Sequence, residues 1–175
     1  TSRASHIIGN GHDGVVVPTE GHFGSFIRLR RTVGGRLLLL VGAFIDDDGG
    51  PDRGAVYVFS LSPVDLTVLE WSKISSTSGG LPAEAALADH DAMGYGGEWL
   101  SDSLIAVDVH GHGDDDRGRV LVLQLTDNYI VESVVQSFAP SGLNPYDYFG
   151  LRIRSVGDWN GDGMPELLIS ASHDD

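Results

Sequence analysis

The chain has 175 residues, 41% of them hydrophobic, and carries 25 acidic against 11 basic side chains for a formal net charge of -14. That length can bury a sizeable core as one compact domain, and the acidic balance argues against a nucleic-acid partner, because a phosphate backbone attracts basic surfaces. With no cysteine at all, disulfides, zinc-thiolate sites and thiol nucleophiles are excluded together. No run approaches the roughly 20 apolar residues of a spanning helix, the longest being Leu37 to Phe44, so membrane insertion is not expected. The sequence begins at Thr1 rather than Met and shows no secretory signal, so whatever preceded it is expected to have been removed.

Abundant glycine and short apolar runs divided by Gly, Asp, Ser and Pro predict an all-β chain of many short strands. In chain order, Phe23-Gly24 is followed by an apolar strand at Leu37 to Phe44, an acidic turn Asp46-Asp47-Asp48, then Arg53-Gly54 and a strand at Ala55 to Phe59. A further strand is predicted at Val68 to Ile74. Leu81 to Met93, rich in Ala and Leu with a proline near its start, predicts a short helix or a connecting loop. The same order then returns with Met93-Gly94, strand Leu104 to Val109, acidic turn Asp114-Asp115-Asp116, Arg117-Gly118, strand Arg119 to Leu123 and an outer strand at Ile130 to Ser137. A third unit opens at Phe149-Gly150, runs through a polar loop into Leu167 to Ser172, and reaches the acidic pair Asp174-Asp175. This self-similarity defines repeats at about 23–80, 93–140 and 149–175 of a single segment 1–175, with 1–22 available to complete a unit. Each full unit reads as a four-stranded sheet whose all-apolar inner strands must be buried on both faces by neighbouring units.

The third unit's loop carries the chemistry. Asp158, Asn160, Asp162 and Glu166 stand at its first, third, fifth and ninth positions with glycine at the sixth, Gly163. Alternating oxygen donors in a tight turn suit calcium, which takes about six to eight oxygen ligands. The helix-flanked calcium loop that starts the same way needs its acidic residue at the twelfth position, so this loop is expected between strands instead. The consecutive acids at Asp46 to Asp48 and Asp114 to Asp116 cannot all face one ion and read as solvated turns offset by Arg53 and Arg117. His110 and His112 read as surface histidines, and Trp99, Tyr146, Tyr148 and Phe149 as edge or core aromatics. No nucleophile elbow, phosphate-cradling loop or metalloprotease helix occurs, so no catalytic residue is assigned.

The recurring marks, Phe23-Gly24 with Gly42-Ala43-Phe44, Met93-Gly94 with Asp108-Val109-His110, and Phe149-Gly150 with Ser170-Ala171-Ser172, resemble the FG-GAP repeat of integrin-α-type β-propellers. The resemblance implies about three four-stranded propeller blades, the last incomplete. It also implies a β-hairpin calcium loop in which the backbone carbonyl of Met164 joins Asp158, Asn160, Asp162 and Glu166 around Ca2+. Family propellers have about seven blades, so completion is expected from more of the same polypeptide, from other protein chains, or from further copies joined head to tail. In the last case Arg3 to Gly14 would supply strands to the unfinished blade of the next copy. The expected role is a non-enzymatic extracellular or cell-surface calcium-binding protein of structural assembly, fibre or coat, or of cell adhesion. The alternatives are an accessory propeller of a larger secreted hydrolase, and a ligand-binding module.

Overall fold

A computed structural model describes residues 5–113 and 115–172; the acidic positions Asp114, Asp174 and Asp175 and the segment start at Arg3 lie outside the described residues. The described chain is all-β apart from one 3-10 turn at Ala83–Ala85. The alanine-rich stretch from Leu81 therefore forms that turn and then enters a strand at Met93.

Three antiparallel sheets follow in chain order. The first contains β1 (Ile27–Arg31), β2 (Leu37–Ala43), β3 (Ala55–Leu61) and β4 (Val68–Ile74), each paired with the next. The second repeats that order with β5 (Met93–Trp99), β6 (Leu104–Val109), β7 (Arg119–Leu125) and β8 (Val131–Phe138). The third is a two-stranded hairpin of β9 (Ile153–Gly157) and β10 (Glu166–Ile169). The described residues do not close a ring of sheets.

The alternation of side chains along β2, β3, β6 and β7 explains how the sheets stack. Leu38, Leu40, Val56 and Val58 face Ile105, Val107, Leu121 and Leu123 in one core between the first and second sheets. The opposite face of the second sheet places Leu104, Ala106, Val120 and Val122 against Ile153, Leu167 and Ile169 of the third. On the outer face of the first sheet, Tyr57 and Phe59 are covered by Ile8, Val15 and Val17. Residues 5–26 form no strand; Asp13 instead ties this segment to the first sheet by accepting the Val68 amide at 3.1 Å.

The Phe-Gly marks do not begin strands, contrary to expectation, in the first and third sheets, where β1 and β9 start at Ile27 and Ile153. Their glycines lie in left-handed backbone, with φ of 99° at Gly24 and 110° at Gly150, and so turn the chain before pairing starts. The amide of Gly24 donates to Gly42 O at 2.8 Å and that of Gly150 to Ser170 O at 2.9 Å.

Neighbouring sheets are joined by a ladder that repeats residue for residue. Between the first two, His90, Ala92 and Met93 donate their amides to the carbonyls of Pro51, Asp52 and Arg53 at 2.8, 2.9 and 3.0 Å. Between the second and third, Tyr146, Tyr148 and Phe149 donate to Asp115, Asp116 and Arg117 at 2.6, 3.2 and 2.9 Å. The Arg-Gly glycine then passes against the next unit's backbone: a Cβ at Gly54 would lie 2.2 Å from Met93 O, and one at Gly118 2.3 Å from Phe149 O. Because φ at Gly118 is also positive, +88°, alanine there meets both strain and collision. Gly118→Ala is expected to destabilise the protein by about 2 kcal/mol or more in urea denaturation, whereas Gly142→Ala, at a site with nothing within 4 Å, stays close to wild type.

Candidate metal centre

The turn between β9 and β10 is organised by side-chain oxygens. Asp158 receives the amides of Gly161 and Gly163 on its two carboxylate oxygens, at 2.7 and 3.0 Å. Asn160 Oδ1 accepts from Asp162 N at 2.8 Å, and Asp162 Oδ1 from Met164 N at 2.8 Å. Asn160 Nδ2 donates to Asp162 Oδ2 at 3.0 Å, and Glu166 Oε2 closes the loop by accepting Trp159 N at 2.6 Å. Such bonds curl the chain because a short carboxylate or amide can accept from a backbone amide two or three residues onward.

The result gathers three carboxylates. One oxygen each from Asp158, Asp162 and Glu166 lies within 4.8 Å of the others. Two calcium ligands on opposite sides of an ion, each at about 2.4 Å, stand about that far apart, so the donor set and its span fit a hard divalent cation. None of the ion pairs among the described residues involves any of the three. Asn160 enters the loop through its side-chain oxygen, and Met164, half exposed, through its backbone amide.

Several of the other candidate residues are placed differently from expectation, whereas Trp99 lies in the core as expected. Asp46 is fully buried rather than solvated, accepting from Tyr57 Oη at 3.0 Å and Lys73 Nζ at 2.9 Å. Asp48 accepts from Ser75 Oγ at 2.7 Å, pairs with Lys73 Nζ at 3.0 Å and is also bonded by Thr77 Oγ1. Lys73 of β4 therefore offsets this turn, while Arg53 reaches out to Asp89 at 2.8 Å. His110 is not a surface histidine: its Nδ1 lies 2.9 Å from the buried Asp108 and its ring packs on Phe44, Tyr95 and Tyr148. His112 turns to another carboxylate, Asp91, at 3.4 Å, so the two histidines do not share a centre. Trp99 is core, donating Nε1 to Arg28 O at 3.2 Å, while Tyr146 is exposed.

Two groups escaped the reading of the sequence. Asp108 takes the amides of Gly94 and Gly96 at 3.1 and 2.7 Å, and burial pushes its carboxyl above the ordinary range although His110 and those amides pull the other way. Arg28, Glu98 and Arg154 meet on the first strands of the three sheets. All three stand at the fifth residue after Phe23, Met93 and Phe149, a signal that aligning the repeats beyond Phe-Gly reveals. No protein-family model matches the chain, and no curated protein matches it significantly.

Asp48 gives a pH dependence with a defined sign. Burial opposes its ionisation, but bonds from Ser75, Thr77 and Lys73 outweigh it and hold the carboxyl down at about 2 against an ordinary 3.8. The folded state therefore binds this proton less readily than the unfolded chain. Its stabilising effect is complete above the ordinary value and fades as pH falls from 3.8 towards about 2. Asp48→Asn is expected to lower stability at pH 7 and to flatten the acid limb of the stability curve in that window, read by urea denaturation at each pH. An unaltered acid limb in the variant would refute this assignment.

Proposed function

We propose that the chain is a segment of a β-propeller of the FG-GAP, integrin-α type, in which each sheet is a blade and the β9–β10 hairpin holds Ca2+. The observation that carries the reading is the repeated ladder from Pro51-Asp52-Arg53 to the Met93 strand and from Asp115-Asp116-Arg117 to Phe149. One identical junction used twice is what a radial stack of equivalent units requires. The convergence of Asp158, Asp162 and Glu166 supports the metal, with Asn160 and the Met164 carbonyl completing its donors. Bound calcium supplies positive charge that lets three carboxylates share one loop, so its affinity adds to folding free energy.

The role proposed is non-enzymatic: structural assembly of a fibre or coat, or cell adhesion, outside the cell or at its surface. Exposure of Asp158 and Asp162 supports a weak site, suited to calcium near millimolar, the regime of extracellular modules. The stack presents its outer faces to partners, either other protein chains or further copies placed head to tail.

Chelation is expected to lower the melting temperature by several degrees, for a stabilisation of about 1–3 kcal/mol. Asp162→Ala should abolish most of that difference while melting at the chelated wild-type temperature. A melting curve indifferent to both calcium and chelator would sink the calcium reading. Electron microscopy of the native material reads the assembly: continuous filaments support the structural role and closed rings the adhesive one.

A further inference from the structure

In a chain with more than twice as many acids as bases, three arginines meet where the first strands of the three sheets come together. Arg28 of β1, Arg154 of β9 and Arg152 just before it line a cavity of about 220 Å³ with Ser25, Tyr95 and Leu151. Among the described residues one carboxylate answers them: Glu98 Oε2 lies 3.6 Å from both Arg28 Nε and Arg154 Nη1, beyond hydrogen-bonding reach. Asp108, behind the Gly96 wall, is already bonded to Gly94, Gly96 and His110.

The guanidiniums are only partly satisfied. Each spends one N–H on the carbonyl of the residue before it, Ile27, Leu151 or Ile153, at 2.8 Å. Arg28 Nε is buried and makes no hydrogen bond. Arg152 lies 5.2 Å over the Tyr95 ring, which holds its plane beside the cavity. Burial, then the neighbouring charge of Arg154, weakens the hold of Arg28 on its proton, with Glu98 offsetting only part. A guanidinium carries up to five donors in a planar fork matched to carboxylate, sulfate or phosphate oxygens. Three of them around one opening, with one carboxylate at ion-pair distance, leave a local positive excess that a small anion neutralises.

We propose that this cavity binds a small oxyanion, its oxygens accepting from Arg28, Arg152 and Arg154 against the Tyr95 wall. The anion is the terminal group of a larger ligand or a free ion; in either case the recognised chemistry is the oxyanion. Arg154 stands on β9 of the calcium hairpin, but the cavity includes none of the proposed calcium ligands Asp158, Asn160, Asp162, Met164 and Glu166, so at constant calcium either can fail alone.

The test is isothermal titration of the 175-residue chain with sodium sulfate, and separately with sodium acetate, at constant ionic strength and constant calcium. Saturable one-to-one binding of at least one anion is expected. Sulfate alone assigns the site to sulfate or phosphate groups, acetate alone to carboxylates, and each result supports the proposal. Arg152→Gln, at an exposed position, should weaken binding about tenfold, the effect of losing a charged hydrogen bond. Arg31→Gln, exposed and outside the cavity, should not change it. Circular dichroism of both variants confirms that they fold. Absence of saturable binding of either anion up to about 10 mM, or wild-type affinity in both Arg152→Gln and Arg154→Gln, overturns the site.

Discussion

The architecture depends on a backbone ladder between sheets, not on any single side chain. Four of its six donors lie in conformations that L-residues avoid: φ is 68° at His90, 54° at Ala92, 67° at Tyr146 and 49° at Tyr148. Sparsely populated backbone of this kind persists only where surroundings over-determine it. Here a buried aspartate lies between the two strained residues at each junction. Asp91 accepts the Ala88 amide at 2.9 Å and Asp147 that of Asn144 at 2.5 Å. Each aspartate thus braces the turn from inside while its neighbours reach across to the preceding sheet. Two strained residues flanking an aspartate, followed by Met-Gly or Phe-Gly, make the joint.

Placing the sheets face to face has a second consequence. Both sides of the second sheet become core, so every polar group there needs a partner. In the first and third sheets the Phe-Gly amide is satisfied by a carbonyl, of Gly42 or Ser170. In the second, β5 shifts register between Met93 and Gly97, and the Asp108 carboxylate takes the Gly94 and Gly96 amides instead. A side chain thereby replaces a missing rung of main chain, at the cost of burying an ionisable group that His110 must accompany. In the first sheet the buried carboxylate is Asp46, which accepts from Tyr57 and Lys73.

How much of this was legible follows from periodicity. Strands buried on both faces show as apolar runs, so β2, β3, β6 and β7 lie where the runs Leu37 to Phe44, Ala55 to Phe59, Leu104 to Val109 and Arg119 to Leu123 place them. The Leu81 stretch reads as helical by propensity, but Asp91 and the strained His90 and Ala92 commit it to the junction. Burial of Asp46 was illegible because three adjacent aspartates look solvated, and the balancing Lys73 lies a strand pairing away on β4. The carboxylates of the β9–β10 loop were legible because their spacing alone brings them together, with no distant partner needed.

That loop also stands where the other sheets use a shorter device. The turn after β1 closes by a backbone bond from Thr32 N to Arg36 O at 2.9 Å, and the turn after β5 by Leu100 N to Leu104 O at 2.8 Å. Between β9 and β10 eight residues, 158–165, intervene, and their amides are taken by Asp158, Asn160, Asp162 and Glu166 instead of by carbonyls. Charged acceptors make stronger bonds to amides than carbonyls do, but three of them in one turn repel one another, and the described ion pairs bring no base to them. The first sheet answers its own crowded acids with a covalently attached ammonium, Lys73. By the same electrostatic logic, the calcium proposed for the third hairpin would be the counterpart of Lys73, supplied from solution instead of by the chain, and the order of the loop would then follow cation concentration.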